Sequence, residues 1–289
     1  MALGRSFEAT NEQSLNETAA ALLGARRDSR VGILHPVRVM SPSFDIPLSG
    51  QIRDISMGGL CIATPSPIPL ENISGVEIHF PEGIVRLNVI GVWQTRMSID
   101  QSVLTGLKFL QPDQRTLQVI RSRLDSSIRE VGDFLSNVFR TSQIGIEDAI
   151  SLAQSTRIRV VSRGQYLYRR GEVPASLDDA IFFIREGSVE LSLPKRSGPA
   201  NVTARLGPFS MLGGLGSIAS VPHFEDAQTL EDTTVLEIST ASFAYLRIAQ
   251  PLLAQSLSQL VMMGQLQRVD RLVARMSGLD SDGKSSFVR

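Results

Sequence analysis

The chain has 289 residues, 29 of them basic and 29 acidic, so its formal net charge is zero. At 42% hydrophobic and 20% charged it is a globular chain able to bury real cores, and its length suggests two domains. These totals disfavour a strongly basic nucleic-acid binder or an acidic disordered chain, and a lone Cys61 excludes a disulfide framework or thiolate metal cluster.

The first 24 residues are polar, with a short helical pattern in Leu15, Ala19, Leu22 and Leu23. The opening MALGRSFEATNEQ lacks the apolar core of a signal peptide, and no run in the chain is apolar for long enough to cross a membrane. The expected compartment is the cytoplasm. From Val31 to Phe109 short apolar or alternating runs, at Ile33–Val39, Gly59–Ala63, Val76–Phe80, Val85–Trp93 and Val103–Leu110, are separated by Pro, Gly, Ser and Asn. Such a series predicts a compact antiparallel barrel or sandwich. The period then changes: Pro112 and Asp113 start a helix, and Leu117, Ile120, Leu124, Ile128, Val131, Leu135 and Val138 recur three or four apart.

A second β-rich region runs from Arg157 to Ile238, with strands expected at Ile181–Ile184 and Ser188–Leu193. The pattern afterwards is helical to Met276, and residues 277–289 read as a disordered tail. The expected organisation is an N-terminal segment (1–24), a first β-domain (25–112), a connecting helix (113–145), a second β-domain (146–248), a C-terminal helix (249–276) and the tail.

Charge is distributed unevenly along this plan. Only Lys108, Lys195 and Lys284 are lysine, leaving 26 arginines, whose planar donor forks suit phosphate and ring stacking. Residues 115–170 hold 10 arginines against 5 acids, whereas residues 171–240 hold 4 basic side chains against 10 acidic ones. A separate cluster, Arg26, Arg27 and Arg30, stands immediately before the first β-domain.

Downstream of that cluster comes Asp54-Ile55-Ser56-Met57-Gly58-Gly59. Alone, the arginines would be a solvated linker and the second motif a hydrogen-bonded turn. Together, with Val92-Trp93 and Gly106-Leu107-Lys108-Phe109 following in order, they resemble the PilZ domain, a bacterial receptor module for cyclic di-GMP. The family's R-x-x-x-R falls on Arg26 and Arg30, and its D/N-x-S-x-x-G on Asp54, Ser56 and Gly59. One departure is Ala25 where many members have a further Arg; Arg27 follows instead. The resemblance implies a six-stranded antiparallel β-barrel, with cyclic di-GMP bound by Arg26, Arg27, Arg30, Asp54, Ser56 and Gly59. The chemistry suits those residue types. Arginine forks pair with phosphate, with the N7/O6 edge of guanine and with its face, and a carboxylate accepts from guanine N1–H and N2–H₂. A glycine at position 59 allows close backbone approach or positive φ.

Residues 146–248 resemble the cyclic-nucleotide-binding domain of catabolite-activator-like proteins, through Arg163-Gly164-Gln165, Tyr168-Arg169-Arg170-Gly171-Glu172, Ile181–Val189, Leu206–Phe209 and Val235–Ile238. This implies a β-roll (jelly roll) with a C-terminal helix, so the fold class expected for the chain is mainly β with long helices. In that family a Glu holds the ribose and an Arg some ten residues on neutralises the cyclic phosphate. Here Gly213 and Gly214 stand in the cassette, with Gly214 at the Glu position, and the Arg position falls at Phe224 or Glu225. From Leu206 to Leu246, 41 residues, there is no Lys or Arg. Glu225 would repel a phosphate, and a buried anion without a partner is costly. A degenerate second pocket is therefore expected, serving docking or dimerisation. Leu253, Leu257, Leu260, Leu266, Val269, Leu272 and Val273 supply a possible homodimer seam within 251–276. Too few residues follow Met276 for the DNA-binding helices of activator-type regulators, so no DNA partner is expected.

Other motifs carry little. Gly278–Ser285 matches a phosphate-loop pattern without the strand and helix it needs, Gly214-x-Gly216 lacks a dinucleotide fold around it, and His35, His79 and His223 have no metal-ligand spacing. No catalytic, metal or cofactor site is expected. The reading is a cyclic di-GMP effector acting on an unidentified protein partner; the alternatives are a dual-nucleotide or cyclic AMP sensor using an altered second pocket, and a ligand-independent scaffold.

Overall fold

A computed structural model describes residues 30–43, 46–97, 101–172, 179–193, 201–219 and 221–276. The expected helix near Leu15, together with Arg26, Arg27 and the 277–289 tail, lies outside the described residues.

Seven strands come first: β1 (Val31–Gly32), β2 (Pro36–Met40), β3 (Leu48–Ile55), β4 (Gly59–Thr64), β5 (Gly75–Phe80), β6 (Gly83–Arg96) and β7 (Val103–Phe109). They pair antiparallel in the order β1-β3-β2-β5-β6-β7-β4, and β4 pairs back onto β3. Six strands thus close a barrel, and β1 takes over from β2 along the same edge of β3, with Gly32 opposite Asp54. Alternation in β2 and β6 points Val37, Val39, Leu87 and Val89 inward. The second half of β3 is buried on both faces, because one faces the barrel and the other faces the second β-unit. The sequence pattern gives no strand at 48–55. Its alternation is interrupted by Gly50 and by the charged pair Arg53-Asp54, whose burial depends on residues more than 100 positions away.

Helix α1 (Gln114–Val138) begins as expected. Asp113 caps it, accepting the Thr116 N–H at 2.7 Å, which with the Thr116 hydroxyl holds the Asp113 carboxyl below its usual range. Ile120 and Leu124 are buried toward the barrel. Farther along, Phe134 stacks on Phe209 at 5.2 Å, and Phe139, just past the helix, meets Phe183 edge-on at 5.6 Å. The helix ends at Val138, and a short second helix, α2 (Ile146–Ala153), follows a turn.

The second unit contains β8 (Arg157–Val161), β9 (Tyr166–Tyr168), β10 (Ala180–Glu186), β11 (Val189–Leu193), β12 (Asn201–Leu206), β13 (Met211–Gly213), α3 (Leu215–Ala219), β14 (Asp226–Thr229) and β15 (Thr233–Ser239). Two four-stranded sheets, β13-β10-β15-β8 and β12-β11-β14-β9, form the β-roll. Phe182, Ile184, Leu191 and Val235 belong to a core of its own. Helices α4 (Thr240–Ala249) and α5 (Pro251–Met276) complete the chain.

A single apolar cluster runs from Ile52 and Leu60 in the barrel through Ile120 and Leu135 in α1 to Ile158, Phe183 and Leu257. Fully burying one such side chain contributes about 1.5–3 kcal/mol. Pulling the two β-units apart as rigid bodies would expose several, so the linkage between them is a packed junction and not a flexible tether.

Candidate functional site

The β1–β3 pairing places Arg30 beside Asp54. Arg30 Nη1 donates to Asp54 Oδ1 at 2.6 Å, joining the two sequence motifs through space. Asp54 is fully buried, and its second oxygen, Oδ2, lies 2.8 Å from Arg157 Nε on β8. Burial by itself would lower the Arg157 pKa, but the adjacent Asp54 carboxylate raises it. The carboxylate that the sequence reading aimed at a ligand is therefore already engaged, by one arginine from each half of the chain.

Ser56 and Gly59 form the turn after β3. The Ser56 N–H donates to the Gly59 carbonyl at 2.8 Å, its hydroxyl donates to the same oxygen at 3.2 Å, and the Gly58 N–H donates to the hydroxyl at 3.3 Å. Of the two roles open to Gly59 in the sequence, close approach is the one observed. A Cβ there would sit 2.2 Å from the Leu107 carbonyl oxygen on β7, and its φ is not positive. Arg30, Asp54, Ser56 and Gly59 are thus together at one end of β3. Opposite Asp54 lies Cys61, whose thiol is pushed up to about 12 by burial and by the Asp54 charge, which makes it inert.

Arg53 explains why this corner is rigid. A register shift between Ile52 and Asp54 leaves Arg53 as an extra residue on β3, so that both it and Asp54 reach the β-roll. Arg53 Nε donates to the Ile158 carbonyl at 2.5 Å and its Nη2 to Glu237 Oε1 at 2.9 Å. Arg159, packed over Phe182 at 5.3 Å, approaches Glu237 Oε2 at 3.4 Å. Burial pushes Glu237 up, but Arg53, Arg159 and Arg157 together hold it below the usual carboxylate range.

At the second expected pocket, α5 packs close to the cassette glycines. Gly214, at φ +82°, donates its N–H to the Ala180 carbonyl at 3.0 Å, and a Cβ there would meet Ile181 at 2.8 Å and Val261 of α5 at 3.2 Å. Gln265 of α5 donates to the Gly213 carbonyl at 3.3 Å. Glu225 is buried and accepts from the Thr203 hydroxyl at 2.9 Å, and its Oε1 lies 3.2 Å from Arg268 Nε. Burial raises the Glu225 pKa, partly offset by Arg268 and Thr203. Beside it Tyr168 stacks on His223 at 3.8 Å between ring centroids, and His223 Nε2 lies 3.1 Å from Asp179 Oδ1.

This corrects two expectations. Glu225 is not an uncompensated charge waiting to repel a phosphate, because Arg268 pairs with it from α5, beyond the arginine-free stretch. The seven-residue seam on α5 is also divided: Leu253 and Leu257 are buried against the same chain and Leu260 is partly buried there, whereas Leu266, Val269 and Val273 are exposed, and the Leu272 side chain lies outside what is described. The sequence reading did not identify Arg157 or Arg268 as site residues. The available signal for Arg268 was the inward stripe Leu253, Leu257, Val261, Gln265, Arg268, which turns polar toward its end. Among the described residues no helix is long and apolar enough to cross a membrane, and no cluster of His, Cys, Asp and Glu could hold a metal ion.

Comparison with known proteins agrees with the two-part fold. A PilZ domain model matches residues 25–126 and a cyclic nucleotide-binding domain model matches residues 158–248. No curated protein matches the chain. Similar solved structures include a cyclic nucleotide-binding domain from Methylobacillus flagellatus (15% identity, TM-score 0.44, covering 52% of this chain and 86% of that one). Another is the Thermus thermophilus catabolite activator protein (21% identity, TM-score 0.40, 48% and 62%). A third is the regulatory domain of Toxoplasma gondii PKA, crystallised with cAMP (15% identity, TM-score 0.42, 80% and 77%). These distant likenesses carry no argument, and the assignment rests on the two matched segments. The chain joins a PilZ domain to a cyclic nucleotide-binding domain, in that order.

Proposed function

We propose that this chain is a non-enzymatic bacterial effector, acting in the cytoplasm, that binds cyclic di-GMP at its PilZ domain and signals to a protein partner. Arg26, Arg27, Arg30, Asp54, Ser56 and Gly59 form the ligand site in this reading. The units divide at 25–112, 113–145, 146–248 and 249–276. The observation that supports it most is the Arg30–Asp54 pair at 2.6 Å, which brings both PilZ motifs to one end of β3. Arg30 is about a third exposed and stands at the rim, so a dinucleotide can recruit it. A ligand shifts such an arrangement only through differential affinity for the two states.

The second domain serves docking or homodimerisation in this reading and does not bind cyclic AMP. Its support is the Arg268–Glu225 pair, in which the Glu225 charge is already matched, and the close packing of Val261 on Gly214.

Titration calorimetry with cyclic di-GMP tests the first part. Heat is expected for the wild type and a strongly reduced signal for Arg30→Ala; absence of heat for the wild type, or an undiminished signal in the variant, overturns the receptor reading. In a thermal-unfolding assay, millimolar cyclic AMP is expected to leave the melting temperature unchanged.

A further inference from the structure

We propose that Arg157, on the first strand of the second domain, is a positioning residue of the cyclic di-GMP site, so that the site is completed across the junction. The inference rests on the receptor reading and adds to it a residue outside the PilZ domain.

The argument starts from the division of the Asp54 carboxylate. Oδ1 faces Arg30 at the rim, and Oδ2 faces Arg157 at the junction. A buried carboxylate deprived of its cation is strongly destabilised. Cyclic di-GMP, with two phosphates and two guanines, competes for Arg30. When Arg30 turns to the ligand, Oδ1 is released to accept from a guanine N–H, and Arg157 is the cation that stays. It keeps the carboxylate ionised and holds it in place through the 2.8 Å ion contact at Oδ2.

Arg157 is suited to stay because its strand is held on several sides. It pairs with Glu237 across β8–β15, and Glu237 is clamped by Arg53 and Arg159. The next residue, Ile158, accepts the Arg53 guanidinium on its carbonyl. Gly32, opposite Asp54 on β1, runs so close to β8 that a Cβ there would lie 2.7 Å from the Ile158 nitrogen and 2.8 Å from the Arg157 carbonyl carbon. Arg30 is held at the same place, since its N–H donates to the Gln154 carbonyl at 3.3 Å, three residues before Arg157. Arg30, carboxylate and cross-domain arginine therefore share one anchorage, and a ligand that engages Arg30 is felt by β8.

Calorimetric titration of cyclic di-GMP into the full chain tests this, using the wild type, Arg157→Lys, Arg157→Gln and Ile158→Ala, each with its melting temperature. A graded loss is expected: about threefold for Arg157→Lys, which keeps the charge but not the fixed planar guanidinium, and about tenfold for Arg157→Gln. Ile158→Ala thins the same junction without touching Asp54; it is expected to melt lower and bind as the wild type does. Wild-type affinity in both Arg157 variants overturns the proposal, as does equal weakening in Arg157→Gln and Ile158→Ala, which would assign the effect to junction stability. Should Arg157→Gln not fold, Arg157→Lys decides alone, and unchanged affinity there overturns the proposal. A wild type that gives no heat overturns the receptor reading itself, a result distinct from all of these.

Discussion

Arg53 and Glu237 meet at 2.9 Å across 184 positions of chain, with side chains only 4% and 8% exposed. Their pairing fixes the geometry of the PilZ corner against the β-roll, because Arg53 is the bulged residue immediately before Asp54. A buried pair is weak evidence for net stabilisation, but removing one partner strands the other. Arg53→Ala leaves Glu237 with Arg159 at 3.4 Å and removes the donor to the Ile158 carbonyl. The expected cost is about 3 kcal/mol. Urea unfolding of the full chain measures it, and the continuous apolar cluster predicts that both halves of the wild type unfold in one transition. A loss under about 1 kcal/mol would mean that the apolar contacts, not the ion pair, set the corner.

Acid sensitivity follows from the same carboxylate. Glu237 is held below its unfolded value, so the unfolded chain takes up its proton first as pH falls. Its stabilisation is complete above the ordinary carboxylate pKa of about 4.3 and is lost as pH falls through the depressed folded value. Glu225 works in the opposite sense. Its pKa is raised, so its contribution is present below the unfolded value and is lost as pH rises through the folded one. Melting temperatures from pH 6 down to pH 3 should therefore fall less steeply for Glu237→Gln than for the wild type, and more steeply for Glu225→Gln. Identical slopes in all three proteins would assign the acid response to other groups.

How much of this was legible in the sequence depends on the range of the interaction that fixes each feature. Period-2 alternation in β2 and β6 and the Asp113 cap are local, and they were readable. The approach of Arg30 to Asp54 was readable only through the family motifs, because it depends on β1 pairing with β3. Arg157 was not readable at all: in sequence it belongs to an alternating strand of ordinary arginines, and only the fold turns it toward Asp54. Strand β3 was missed for a related reason, since Arg53 and Asp54 are buried by partners the local pattern does not contain. For the second pocket, residues 206–246 carry no arginine, and the cation beside Glu225 comes from α5, which the local pattern does not contain.

The Glu225–Arg268 pair is the test of whether the second pocket is self-occupied. Each side chain is about a tenth exposed or less, so either one left alone is a buried unmatched charge. Arg268→Ala is expected to cost about 3 kcal/mol, whereas Glu225→Ala/Arg268→Ala should lose less than the sum of the two single changes. A double-mutant cycle by denaturant unfolding gives the coupling directly. Additive losses would show that the two groups do not sense one another, and the self-occupied pocket would have to be given up.

The homodimer part of the proposed function makes a cleaner prediction now that the faces of α5 are separated. Leu253, Leu257 and Val261 are committed to the chain's own core, so they are unavailable to a partner. The outer face carries Met262, Leu266, Val269 and Val273, spaced four, three and four residues apart along the helix and each at least 41% exposed. That spacing is the seam of a two-stranded coiled coil. Leu266, 60% exposed, can be changed without disturbing the fold. Sedimentation velocity at tens of micromolar is expected to show a dimer for the wild type and a monomer for Leu266→Glu, with the same melting temperature at low protein concentration. A wild type that sediments as a monomer removes the dimer from the proposed function and leaves the dinucleotide site untouched, because no residue of that site lies on α5.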